Sequence, residues 1–211
     1  MDIFENKTSA KPKHTGTKNI FENPVLESLT RTNALVPITL YYVIPLFLLG
    51  YGAIYTEISV LKLALLFFGG VIFFSLLEYI LHRYLFHMHT HTELRRKIQY
   101  NIHGLHHDYP KDKDRLAMPI LASITLAIVL YALFYLIIGV NVYGFLPGVM
   151  AGYSTYLFVH YAVHAYPPPK NFLKELWVHH AVHHYKDGDH AFGVSSPLWD
   201  YVFGTMPKKK Q

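Results

Sequence analysis

The sequence predicts an all-α integral membrane protein, with four transmembrane helices beneath a cytosolic helical cap that holds a histidine-rich dimetal site. Three observations predict it. The 211 residues are 52% hydrophobic and only 16% charged, against about a quarter charged in soluble domains. The apolar residues gather into runs of spanning length, separated by short basic segments. Ten of the 15 histidines fall in four clusters, His82-x4-His87, His103-x2-His106-His107, His160-x3-His164 and His180-x2-His183-His184.

Residues 1–33 are polar, carry Lys7, Lys11, Lys13 and Lys18, and show no sustained periodicity. A cleavable signal needs an early apolar run, which is missing. This stretch reads as a tail, with a short interfacial helix near 23–30. The domain follows over 34–206, and 207–211 is a basic tail that contains Lys208-Lys209-Lys210.

The first apolar run, 32–56, has no charged residue and exceeds the ~20 residues that cross a bilayer. Pro37 and Pro45 are its candidate kinks. The second begins after Lys62, is charge-free over 63–77, and continues through Glu78 to His82 and His87. As one helix of ~30 residues it would measure ~45 Å, more than the ~30 Å hydrocarbon core, so its histidine end should protrude. Residues 116–169 contain no Lys, Arg, Asp or Glu, which is too long for one span. Asn141 to Gly144 is the natural break, giving spans near 120–140 and 145–163.

Orientation follows from loop lysines and arginines. Five precede the first span, six lie in 90–115 and six follow Tyr166, while the other two connections carry none. With four spans, the three basic segments share one face, expected to be cytoplasmic. The net charge of +5 is thus a topology signal, and no nucleic-acid partner is expected. The same topology brings all four histidine clusters to that face.

Cysteine is absent and carboxylates are sparse, so a metal would be held by nitrogen, and neutral imidazole is the usual nitrogen ligand. His160 and His164 are i,i+4 and point from one helix face. In each HxxHH triple the adjacent histidines diverge by about 100°, so one triple can reach two neighbouring ions. His82 and His87, at i,i+5, either flank a centre or are brought together by a π-bulge. All-nitrogen sites suit zinc, copper, iron or nickel. A structural zinc site closes with four ligands, whereas ten ligands for two ions leave five each and room for an open position, which favours dioxygen-activating iron. Zinc could occupy the same nitrogens.

At these residues the chain resembles the fatty acid hydroxylases of the sterol desaturase and hydroxylase superfamily. The likeness rests on the histidine grid, on the run from His103-Gly-Leu-His-His-Asp-Tyr-Pro to Met118-Pro119, on Leu77-Glu-Tyr-Ile-Leu-His-Arg-Tyr-Leu-Phe-His87, and on Phe192-Gly-Val-Ser-Ser-Pro-Leu-Trp-Asp-Tyr. It covers about residues 30–206. The resemblance implies an O2-dependent fatty acid 2-hydroxylase acting on a very-long-chain acid or a ceramide-type N-acyl lipid. It implies two metal ions held by His82, His87, His103, His106, His107, His160, His164, His180, His183 and His184. Many members carry a fused cytochrome b5 domain, for which the segment before the first span is too short. No built-in haem is therefore expected, and electrons should come from a separate cytochrome b5- or ferredoxin-type donor.

Glu78, Asp108 and Asp200 are candidate acceptors for ligand N–H groups. Glu78 qualifies as an ionisable residue inside a span. Tyr109, Lys111, Asp112 and Arg115 are expected to brace their loop or to contact a lipid headgroup, and His179 to pack beside its triple. The histidine grid also admits a hydroxylase or desaturase of a sterol or carotenoid, or a non-catalytic membrane metal-binding protein. The membrane would be the bacterial inner membrane or the endoplasmic reticulum.

Overall fold

A computed structural model describes residues 12–207, so Lys7, Lys11 and the terminal lysines lie outside the described residues. All regular structure among the described residues is helical. The elements are α1 (Pro24–Leu29), α2 (Leu35–Tyr55), α3 (Val60–Leu81), α4 (Glu93–Gln99), α5 (Leu105–Asp108), α6 (Ile120–Ile138), α7 (Val142–Ala165), α8 (Lys174–Tyr185) and α9 (Leu198–Phe203). A π-helical turn, His82–Phe86, extends α3, and another, Tyr100–Gly104, joins α4 to α5.

Local chemistry explains the helix ends. The Asn23 side chain accepts from the Val25 and Leu26 amides, 2.9 and 3.2 Å, and Pro24 opens α1, where its missing N–H costs nothing. Ser59 caps α3 through the Lys62 amide and Thr92 caps α4 through the Arg95 amide. α1 falls where a short helix was expected, near 23–30.

Three segments are long and apolar enough to cross a membrane: Leu35–Tyr55, Val60–Phe86 and Lys113–Ala165. The third, at 53 residues, contains both α6 and α7. The break between them lies at Gly139–Asn141, a little earlier than expected. Gly139 sits at φ +57°, a conformation that ends α6 and that side-chain-bearing residues avoid, so the chain turns there.

The second and last apolar helices pack backbone to backbone. Gly144, Gly148 and Gly152 form a stripe on α7 that faces Leu66, Phe67 and Phe74 of α3. At Gly148 a Cβ would collide with the Phe67 carbonyl, and at Gly70 with the Phe145 carbonyl. Close approach through small residues is how helices pack where lipid removes the hydrophobic drive. It sets the His82 end of α3 beside the His160 end of α7. Polar bonds fasten α2 to α7 and to α6: the Ser154 hydroxyl donates to the Ile38 carbonyl at 2.7 Å, and the Ser123 hydroxyl of α6 donates to the Tyr41 hydroxyl at 2.6 Å.

The described part of the first 33 residues folds back onto the loop after α5. The Lys13 amide donates to the Asp108 carbonyl and the Thr32 amide to the Asp114 carbonyl, 2.8 and 2.9 Å. Buried Glu27 pairs with Arg115 and accepts the Ile20 and Phe21 amides.

Candidate metal centre

The ten clustered histidines form two groups of five. His82, His87, His103, His107 and His183 make one, and His106, His160, His164, His180 and His184 the other; within each, the ligand atoms all lie within 4.8 Å of one another. Each group could hold a metal ion. The triples split as their helical period requires: His106 and His107, like His183 and His184, serve opposite groups. The π turn unites His82 and His87, whose amide donates back to the His82 carbonyl at 3.1 Å. The extra residue in that turn puts the two rings 5.2 Å apart. The groups adjoin, with the His107 ring stacked on that of His184 at 4.2 Å.

The spacing of the nitrogens fits metal ions. In the first group, Nε2 of His103 lies 3.1 Å from that of His82 and 3.0 Å from that of His107, and His87 and His183 approach to 3.0 Å. In the second, His106 lies 2.9 Å from His160 and 3.2 Å from His184, and His164 lies 2.8 Å from His180. Two nitrogens about 2.0–2.1 Å from one ion are about 2.9 Å apart at right angles and about 3.4 Å apart at the tetrahedral angle. The observed values lie close to those expected of nitrogens that share an ion.

Two ring orientations are set by backbone. His82 donates its Nδ1–H to the Phe192 carbonyl at 2.5 Å, and His183 donates its own to the His190 carbonyl at 2.9 Å. Each bond fixes the tautomer that leaves Nε2 as a bare lone pair facing the centre. Burial, reinforced by neighbouring imidazoles, holds His103, His106, His107, His180 and His184 well below the ordinary 6.5. Burial also pulls His183 down to about 4, against the opposing effect of its bond to the His190 carbonyl. Neutral imidazole, the ligand form, is therefore the resting state.

These depressed values have a pH consequence. The unfolded chain takes up protons near 6.5 and the folded cap resists, so the contribution to stability is complete above that pH and disappears as pH falls through the folded values. Metal-stripped protein should lose thermal stability between pH 6.5 and about 4. A melting temperature unchanged across that window would contradict this.

The loop 190–196 that supplies both carbonyls is clamped by two buried carboxylates. Glu78 accepts from the Val194 and Ser195 amides, 2.7 and 2.9 Å, and from the Ser195 hydroxyl. Asp200 accepts from the Phe192 and Gly193 amides, 2.9 and 2.8 Å, from Thr205 at 2.7 Å and from His179 at 2.9 Å. Burial pushes the Asp200 carboxyl up, but the bonds from His179, Thr205, Gly193 and Phe192 outweigh it and leave the group below its usual range.

The expectation for two of the carboxylates is corrected here. Glu78 and Asp200 do not accept a ligand N–H; they hold the loop whose carbonyls do, because backbone amides fill their acceptor sites first. Asp108 accepts from the Tyr100 hydroxyl at 2.9 Å. Arg115 pairs with Glu27 and Asp112, and Tyr109 meets Lys13. The choice for that loop therefore falls to bracing. His179 packs on Asp200, outside both groups. His89 and His91 stack on each other at 5.9 Å in an exposed loop.

An apolar cavity of about 150 Å³ opens beneath the first group. His82, Phe86, Glu78 and Tyr156 line its upper end, and Phe74, Leu130 and Leu146 are among the residues lining the rest. Tyr156 stacks on His160 at 5.5 Å. Sequence reading missed both Tyr156 and the loop carbonyls. Tyr156 lies four residues before His160 on α7, which was its only signal.

Comparison with known proteins agrees with this geometry. The fatty acid hydroxylase family model matches residues 67–205. A dihydroceramide fatty acyl 2-hydroxylase of Arabidopsis thaliana, FAH2, is 34% identical over 188 residues, covering 89% of this chain and 79% of that protein. The ceramide very long chain fatty acid hydroxylase scs7 of Schizosaccharomyces pombe is 35% identical over 92% of this chain, and human fatty acid 2-hydroxylase 36% over 69%. The chain spans 57% of the length of the former and 40% of the latter. A solved structure of full-length scs7p, with only the hydroxylase domain visible, superposes with TM-score 0.84 at 32% identity, covering 93% of this chain and 75% of that one. Its histidine grid, its fold and its sequence agree in making this chain a member of the fatty acid hydroxylase family.

Proposed function

We propose that this chain is a membrane dimetal oxygenase that hydroxylates C2 of a fatty acyl chain, carried as a free acid or as a ceramide-type N-acyl lipid. The observation that carries this reading is the meeting of two five-histidine groups with an apolar cavity at His82. The names of the relatives supply the position of attack. The ten clustered histidines are the ligands, iron is the metal, and a cytochrome b5- or ferredoxin-type carrier delivers two electrons. The hydroxylase domain runs over 34–206. The chain crosses the membrane four times, with α6 and α7 as the last two spans, and the basic-loop count supports a centre on the cytoplasmic face.

Bound iron would supply the oxidising power for an unactivated C–H bond, which side chains lack. The protein's own groups do the rest. The Phe192 and His190 carbonyls keep two imidazoles in the ligand tautomer. The cavity walls exclude water and align the acyl chain with its carbonyl end toward His82. Tyr156, at that end, donates a hydrogen bond to the acyl carbonyl and so sets which carbon faces the metals.

Tyr156→Phe keeps the ring on His160 and removes one hydrogen bond of about 0.5–1.5 kcal/mol, so KM should rise about 2- to 10-fold. Metal content should not change, and some product should carry oxygen beyond C2. An unchanged KM with product only at C2 would count against this role. To test the main reading, the protein would be reconstituted with a redox carrier and offered a very-long-chain acid, a ceramide and a sterol. Hydroxylation at C2 of the acyl lipids is expected, and attack on the sterol alone would contradict it.

A further inference from the structure

The helical stretch that carries His103, His106 and His107 begins with an apolar stripe that none of the described residues covers. Leu94, Ile98 and Ile102 are 68%, 40% and 47% exposed. They recur at i, i+4 and i+8, the first two about 40° apart on α4 at 100° per residue and the third on the π turn that continues it. Counting from the midpoint of Leu94 and Ile98, Arg95 and Lys97 stand about 80° to either side and Arg96 faces away. The stripe adjoins the end of a spanning helix. Gln99 donates to the Phe86 carbonyl at 2.9 Å, and beside it Tyr84 and Leu85 are 61% and 38% exposed. Phe86 stacks on His103 at 5.0 Å and lines the cavity.

We propose that α4 and the π turn that continues it form an interfacial anchor, with Leu94, Ile98 and Ile102 sunk into the acyl boundary of the membrane and Arg95 and Lys97 on anionic lipid headgroups. The proposal rests on the membrane reading above and extends it to a helix too short and too charged to be a span. Apolar residues on one face with flanking basic side chains that reach back to the surface are the pattern of a helix lying in the interface. Continuity with the lipid-facing end of α3 picks the bilayer over a protein partner as the occupant. The anchor holds the histidine-bearing stretch at the membrane surface, beside Phe86 and the cavity.

The chain has no cysteine, so spin labels can be placed one at a time in the full protein. Leu94→Cys, Ile98→Cys, Ile102→Cys and Arg96→Cys would be labelled in vesicles of phosphatidylcholine with and without phosphatidylserine. Leu65→Cys, at an exposed site on α3, is the membrane control. Collision rates with oxygen and with a water-soluble nickel chelate report depth. Labels at 94, 98 and 102 should favour oxygen, as at 65, and the label at 96 should favour nickel. Phosphatidylserine should deepen the first three, and Arg95→Gln with Lys97→Gln should abolish that deepening. Nickel-accessible labels at 94, 98 and 102, with 65 in lipid, would overturn the proposal and assign the stripe to a protein partner. Nickel access at 65 as well would overturn the membrane reading along with it.

Discussion

Combining His107→Ala with His160→Ala should strip both metal ions, whereas combining His106→Ala with His160→Ala should strip only one. The contrast follows from the partition of neighbouring histidines: His107 belongs with His82, and His106 with His160. His106 and His107 are adjacent in the chain, so distance along the sequence cannot produce this result; only the divergence of their rings can. Both doubles should hydroxylate at below about 1% of wild type, because even partners of ligands cost 10- to 100-fold when lost. Elemental analysis of purified protein gives the count. Equal metal loss in the two doubles would show that the groups are wrongly divided.

Asp200→Ala should damage the centre without touching a ligand. The carboxylate is fully buried and accepts four hydrogen bonds. Removing it orphans the amides of Phe192 and Gly193, a loss of the order of 3–5 kcal/mol by analogy with broken buried pairs. The Phe192 carbonyl, which holds His82, belongs to the residue whose amide is released, so metal affinity should fall about 10- to 100-fold. Asp200→Asn keeps one acceptor but turns an amide N–H toward a donor, and should fall between. Thermal melting and competitive metal titration measure the two effects separately. Lost stability with unchanged metal affinity would mean that the loop does not orient His82.

The periodicities that are local in the chain were readable from the sequence. The 100° divergence within each HxxHH triple already let one triple serve two groups, and the i,i+5 spacing of His82 and His87 already admitted the π turn that is found. Apolar run lengths located α2, α3, α6 and α7 to within a few residues. The missed features are pairings across long separations. Nothing near Glu78 in the chain says that its carboxylate will meet Val194 and Ser195, and a backbone carbonyl such as that of Phe192 leaves no mark in residue type. Asp200 and Glu78 stand out in the sequence as acidic residues close to histidine clusters, but nothing there tells what they hold. The fold-back of residues 13–32 onto 108–115 was hidden for the same reason: two backbone amide bonds and the reach of Arg115 to Thr17, Glu27 and Thr30 build it, all across long separations. The break between α6 and α7 was misplaced because Asn141 to Gly144 looked more turn-like than Gly139, whose positive φ only the backbone reveals.

The most direct test of the account is to express the chain under isotopically labelled dioxygen in cells that lack 2-hydroxy lipids, beside the His107→Ala, His160→Ala double, and to profile the acyl chains by mass spectrometry. The account predicts one labelled oxygen atom at C2 of acyl chains in the first strain and none in the second. Labelled oxygen in both strains, or label only in sterols or carotenoids, would contradict it.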